Sequence, residues 1–405
     1  MKSPLFGTRR VEAVSRKIAK FAAPQTAGTS ILRLRRCDTA TPTILMTPST
    51  TFTTLLPQER GTFDQQLQSL KVELRGWLTE KGLTPGNLVM ARVYLTDAIN
   101  QMPALCRHSL YTCYLATGGF SFVEQPLLDG CKVALQLWCL DAPGMVKTAF
   151  DGGIIVEAAG SKLIFHSVRF SADEARDTDA RRQTHMAFAR HIRLLAEHRM
   201  NLKDNCHRTW IYVRDIDRHY AGVVEGRNEV FDTQGLTAHT HFIASTGIGG
   251  FADNREAIVC MDFLSVSDSD EARVRYLAAT EYLNPTAEYG VAFERGTALT
   301  LWGQRYRFIS GTASIDRYGE CLYCGDIKAQ TERLFLNIDK LLETDEARLA
   351  DVAYFIIYLR DVADRDWVAT YMDENFPGVP HLIVEARVCR PEWLIEVECI
   401  ACTGA

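Results

Sequence analysis

The stretch Ile395-Glu396-Val397-Glu398-Cys399 alternates apolar and acidic residues with period two, the pattern of a strand that buries one face and carries its acids on the other. Upstream, Leu334, Ile338, Leu341 and Leu342 recur at helical spacing, between a strand-like segment at 308–314 and a strand ending Tyr358-Leu359-Arg360-Asp361. The same order occurs twice before. Phe63, Leu67, Leu70, Leu74 and Trp77 make one helical face, stopped by Gly82-Leu83-Thr84-Pro85-Gly86 and followed by a strand ending Tyr94-Leu95-Thr96-Asp97. Phe188, Ile192 and Leu195 make another, after a strand at 163–170 and before one ending Tyr212-Val213-Arg214-Asp215. In each copy a glutamine stands 31 or 32 residues before the closing aspartate: Gln65 or Gln66, Gln183 and Gln330. Fixed order with near-fixed offsets marks an internal repeat.

Each copy closes with a further strand, at 132–140, 257–266 and 394–401. The first linker falls at Asp141-Ala142-Pro143-Gly144, and the second in the polar run from Ser267 to about Pro285. The expected organisation is a basic leader over 1–40, then modules at 41–145, 146–270 and 271–405, the first opening with a Thr-rich strand at 41–54. Gly247-Ile248-Gly249-Gly250 lacks the strand-to-helix context of a phosphate loop and reads as a turn.

Composition narrows the function. The 405 residues are 47% hydrophobic and 23% charged, as in an ordinary globular protein. With 45 basic against 50 acidic residues, a net charge of −5 gives no field favouring a phosphate backbone, so no nucleic-acid partner is expected. No apolar run approaches the ~20 residues of a membrane span, so no membrane partner is expected either. Many of the twelve cysteines sit inside apolar runs with no secretory segment ahead of them, which predicts reduced thiols and a cytoplasmic location. The first 36 residues hold nine Lys/Arg and one acid, Glu12, and read as a flexible or surface-packed leader, with a transit peptide as the alternative.

The order of pieces, with Ser310-Gly311-Thr312-Ala313-Ser314, Gly325-Asp326 before the helix and Val388-Cys389-Arg390-Pro391 before Leu394-Ile395-Glu396-Val397-Glu398, resembles the Rid (YjgF-like) family. Residues 209–401 resemble its chorismatases more specifically. The resemblance implies an α+β fold of three tandem Rid-like modules, each a mixed sheet packed by helices. Rid proteins are homotrimers with sites between subunits, so it also implies a single-chain pseudo-trimer, alone or in a higher homo-oligomer.

The third closing strand carries Glu396 and Glu398 on one face. The first has no acid, and the second has Glu256 at its mouth and Asp262 within it. One working site, in module three, and two decayed or structural ones, module one being the degenerate copy, is the simplest reading, against the alternative that the two glutamates form a solvated face. By resemblance, Glu396 is the proton donor and Cys389 lines its pocket, with no metal or cofactor. Cleaving an enolpyruvyl ether requires a proton on the terminal carbon, and a desolvated glutamic acid can supply it near neutral pH. Arg227 and Arg295 would anchor substrate carboxylates through the planar guanidinium fork, the alternative being surface or capping arginines. Tyr212, Gly311 and His381 complete the expected substrate-binding set.

Two departures qualify the resemblance. Chorismatases carry an arginine after Tyr-Gly-Pro where this chain has Ala292, which bears on the substrate. Plain Rid deaminases hold a carboxylate with an arginine fifteen residues before the strand glutamate. That position is His381 here, and the same distance before Glu256 is His241. A histidine binds an anion only while protonated. The leading expectation is therefore a hydrolase acting on chorismate or a related enolpyruvyl or cyclic carboxylate. A Rid-type enamine/imine deaminase and a non-catalytic binder of small carboxylates are the alternatives. Cys321-x-x-Cys324 and Cys399-x-x-Cys402 have the form of a zinc site, but residues three apart in a strand face opposite ways, so no metal is expected. His239-x-His241 lacks a third ligand.

Overall fold

The computed structural model describes residues 47–267 and 273–404; the expected leader and the first residues of the Thr-rich strand lie outside them. Among the described residues, three mixed sheets follow one another along the chain. In the first, the spatial order is Ser49–Leu55, Val133–Asp141, Leu88–Leu95, Gly119–Glu124. The second places Val146–Phe150, Gly153–Ala158, Ser161–Val168, Val259–Val266, Cys206–Val213 and Ala244–Gly249 side by side. The third runs Val274–Tyr276, Gly296–Leu301, Gln304–Thr312, Ile395–Gly404, Val352–Leu359, His381–Glu385. Each closing strand lies inside its sheet and pairs antiparallel on both sides, and each edge strand after the second helix pairs parallel. The fold is α+β, with three such modules in tandem.

The sheets are packed by helices whose apolar stripes were visible in the sequence. Helix Phe63–Glu80 buries Leu67, Leu70, Leu74 and Leu78, and helix Ile327–Glu343 buries Leu334, Ile338, Leu341 and Leu342. The repeated glutamine fastens each helix to the mouth of its closing strand. The oxygen of Gln66 accepts from Lys132 N, that of Gln183 from Ile258 N and Val259 N, and that of Gln330 from Leu394 N. These backbone groups precede or begin the ladder and would otherwise be unpaired inside the protein. Gln65 instead completes the capping box with Thr62, so Gln66 is the repeated residue.

Two expected loops are strands. Val274–Tyr276, placed in the second linker, pairs antiparallel with 297–299, and Ala244–Gly249 takes in most of the expected Gly247–Gly250 turn. Glycine is required there by crowding. A Cβ on Gly249 would approach Arg387 O to 2.9 Å, and one on Gly247 would approach the Tyr220 ring to 3.1 Å.

Arg387 comes from module three, so the first contact arises where two modules meet, whereas Tyr220 lies on module two's own helix 216–233. The edge strand Gly119–Glu124 packs on strands 153–158 and 161–168 of module two, Ala244–Gly249 packs on 296–301 and 304–312 of module three, and 352–359 and 381–385 pack on Ser49–Leu55 of module one. Bridges Glu124–Phe251, Ile248–Val388 and Leu127–Val384 join the three pairs in turn. Each module thus touches the other two, and the three close a ring.

Candidate active site

Glu396 sits near the start of the closing strand Ile395–Gly404, opposite Tyr358, with Glu398 two residues on and opposite Ile356. Both are interior residues, 3% and 1% exposed, so they do not form a solvated face. The pairing of Gln304–Thr312 with the closing strand slips between Ile309 and Thr312, and Gly311 lies in that irregularity against the Glu396 carboxyl. A Cβ at 311 would overlap Glu396 Oε1. The missing side chain is what leaves space for the acid.

The two carboxyls have different surroundings. Glu398 crosses to module two: Arg208 Nη2 donates to its Oε2 at 2.7 Å and Trp210 Nε1 to its Oε1 at 2.8 Å. Burial, and then the charge of Glu398, push Glu396 up to about 8, with Arg208 and Arg295 pulling the other way. Glu396 is accordingly a protonated acid at neutral pH.

Glu396 faces a small cavity between modules two and three. Module two contributes Tyr220, Arg227, Ser245 and Gly247; Gly311, Cys389, Arg390 and Trp393 come from module three, with Val291, Phe293 and Arg295 on the segment leading into it. Arg227 and Arg295 are 2% and 6% exposed, so neither is a surface arginine. Asn284 fixes the Arg295 guanidinium, accepting from Nη2 through its carbonyl at 3.2 Å and its Oδ1 at 3.0 Å. The Cys389 thiol hydrogen-bonds the Tyr220 hydroxyl and is pushed up to about 12 by burial and by Glu396, so it is neutral. Asp217 at the start of the module-two helix 216–233 accepts from Arg360 at 2.7 Å and Arg387 at 3.0 Å, pinning the helix that carries Tyr220 and Arg227 to module three.

Residues 298–403 match the family described as Endoribonuclease L-PSP. The third module is thus Rid-like at the level of sequence. The whole fold resembles a crystal structure of chorismatase with a TM-score of 0.60 at 18% identity, over 87% of this chain and 98% of that one. Shorter matches include a putative endoribonuclease L-PSP from Entamoeba histolytica (TM-score 0.28, 20% identity, 32% of this chain and 98% of that one). RidA from the Antarctic bacterium Psychrobacter sp. matches with a TM-score of 0.26 and 21% identity, over 31% of this chain and 98% of that one.

Of the residues singled out in the sequence, Glu396, Cys389, Arg227, Arg295 and Gly311 meet in this cavity. Tyr212 and His381 do not. Tyr212 is fully buried beneath Arg92 and Arg169 in the interface of modules one and two, because its ring faces the ring's interior from the strand Cys206–Val213. His381 opens the edge strand of module three and lines a separate cleft with Asp129 and Arg365 at the interface with module one.

The register also corrects the count made through His241. Glu396 lies opposite Tyr358 and Cys260 opposite Tyr212, so Cys260, and not Glu256, is the module-two counterpart of Glu396. Fifteen residues before Cys260 stands Ser245, and it is Ser245 that lines the Glu396 cavity from module two. His241 stacks on Tyr276 at 4.3 Å instead. Sequence reasoning missed Tyr220, Ser245, Trp393 and the partners of Glu398. The signal for Arg208 was present: a cation sharing a strand face with Trp210 and Tyr212.

The strand Ile395–Gly404 continues through Cys402, so the thiols of Cys399 and Cys402 project to opposite faces. Among the described residues no helix is long and apolar enough to cross a membrane.

Proposed function

We propose that the chain is a chorismatase-type hydrolase that cleaves an enolpyruvyl ether of a cyclic carboxylate, chorismate or a close relative, and releases pyruvate. The observation that supports this most is a buried glutamic acid, protonated at neutral pH, facing a cavity lined by two buried arginines. In this reading Arg227 and Arg295 each hold a substrate carboxylate, and Asn284 fixes the orientation of Arg295. Glu396 gives its proton to the terminal methylene carbon. The carbon bearing the ether oxygen becomes an oxocarbenium ion, water adds to it, and the resulting hemiketal collapses to pyruvate and the ring alcohol. The proton lost by the added water restores Glu396. Cys389 and Tyr220, both neutral, form the pocket wall beside the acid. The partner is a small carboxylate, and the ring of modules supplies both sides of the site from one chain. Ala292, where chorismatases carry an arginine, leaves the ring substituents of the substrate as the variable part of the proposal.

The test is incubation with chorismate and assay of pyruvate. The wild type should release it, and Glu396→Gln should lower the rate by roughly 10²–10⁴-fold, the usual contribution of a positioned general acid. Equal turnover by the two proteins would remove Glu396 from the mechanism. Ammonia from an imine acid, unaffected by the substitution, would favour deamination instead.

A further inference from the structure

The reaction needs one acid, yet two glutamates are buried side by side, and the second makes its contacts in another module. Glu398 receives Arg208 Nη2 and Trp210 Nε1, both from strand Cys206–Val213 of module two. Arg208 Nη2 also donates to Thr246 Oγ1 at 2.5 Å, and Thr246 Oγ1 accepts Gly311 N–H at 2.9 Å. Gly311 is the residue against which the Glu396 carboxyl rests. A continuous set of hydrogen bonds therefore runs from the Glu398 carboxylate through module two and back to the backbone beside Glu396. Cation, indole and hydroxyl are all buried, so the set exists only while modules two and three are docked.

We propose that Glu398 is a positioning residue that keeps Glu396 in its proton-donating form, and that the docking of module two arms it by holding Glu398 as a carboxylate. A fixed negative charge two residues away on the same strand face opposes ionisation of Glu396. Without Arg208 and Trp210 that charge could not be buried. The charged and titratable groups around Glu396 are Glu398, Cys389 and Arg390 from its own module, Arg295 ahead of the strand at 296–301, and Arg208, Tyr220 and Arg227 from module two. Among the charges, Glu398 acts most strongly, and removing it leaves only groups that favour the ionised form or are neutral.

This inference rests on the acid role proposed for Glu396, but its test does not require turnover. The full chain is labelled with ¹³C at glutamate side-chain carboxyls, and the Glu396 signal is identified by its loss in Glu396→Gln. In the wild type that signal should titrate near pH 8. In Glu398→Gln the midpoint should fall by at least about one pH unit, and the alkaline limb of any pyruvate-release profile should move with it. Glu398→Asp, which keeps the charge, should retain most of the wild-type midpoint. Should Glu398→Gln fold poorly because Arg208 is left unpaired, Arg208→Met/Glu398→Gln removes both charges. Its midpoint should also fall, but by less. An unchanged midpoint in either variant overturns the proposal. Absence of pyruvate in the wild type with the shift intact would refute the reaction while leaving the coupling standing.

Discussion

Glu396 and Asp262 are both fully interior carboxyls, and their surroundings give them opposite linkage to pH. Burial and then Glu398 raise Glu396 to about 8. The folded chain then holds a proton that the unfolded chain has released, from the ordinary glutamate range up to about 8, and stability falls with rising pH through that window. The slope is about 1.4 kcal/mol per pH unit at most. Asp262 is raised by burial but lowered more by Arg169 and Arg92, so its contribution is present above the ordinary aspartate range and lost as pH falls through its depressed value. Replacing Glu396 by glutamine removes the first linkage and keeps the second. Urea unfolding at pH 6 and pH 8 should show Glu396→Gln gaining about 2 kcal/mol on the wild type between the two. A constant difference would mean that the carboxyl does not ionise in this window.

At the scale of the element, the irregularity at Ile309–Thr312 matters as much as the acid it accommodates. Gly311 does not have a positive φ, so glycine serves there for space and not for backbone freedom. Gly311→Ala places a methyl group on Glu396 Oε1 and within 3.1 Å of Thr246 Cγ2. Overpacking of this kind costs about 1–3 kcal/mol, and here the displaced group is the proposed proton donor. Thermal unfolding should show the destabilisation, and pyruvate release should fall at least about tenfold. Wild-type values for both would show that the carboxyl has room to move. The period-two strand and the apolar helix faces were legible in the sequence because they are local patterns. Also legible were the two arginines and the cysteine, which sit in motif-like stretches. What could not be read was the far wall of the site, because an offset counted along one module does not reveal which residue the next module brings across. Counting back from Glu396 leads to His381, which faces module one, while the position that lines the cavity from module two is Ser245. Tyr212 was misplaced for the same reason: with Tyr94 and Tyr358, it is a repeated core tyrosine opposite the closing strand.

Over the whole molecule, one pair of positions accounts for the inequality of the three interfaces. The counterparts of Glu396 are Ala134 and Cys260, opposite Tyr94 and Tyr212, and those of Glu398 are Gln136 and Asp262, opposite Arg92 and Trp210. Between modules two and three the two acids leave a cavity. Between three and one, Phe52 and Trp138 fill the space with Tyr306 and Tyr354, with ring centroids 5.3 to 6.3 Å apart. Between one and two, Asp262 closes the interface with charge. Arg92 and Arg169 reach it at 2.9 Å, and Ser121 Oγ donates to it at 2.5 Å. The structural interfaces are thus held by chemistry distinct from that of the site, and the two can be separated. Asp262→Asn would leave two buried guanidinium groups without a counter-charge, at a cost of about 3–5 kcal/mol. Urea midpoints should show this loss at neutral pH and a smaller one as pH falls below the ordinary aspartate range, where the wild type progressively loses the same contribution. Pyruvate release per folded molecule should stay within about threefold of the wild type, since none of these residues lines the Glu396 cavity. If Asp262→Asn abolished turnover while folded, the ring would have to transmit strain from one interface to the next, and the division of labour among them would be wrong.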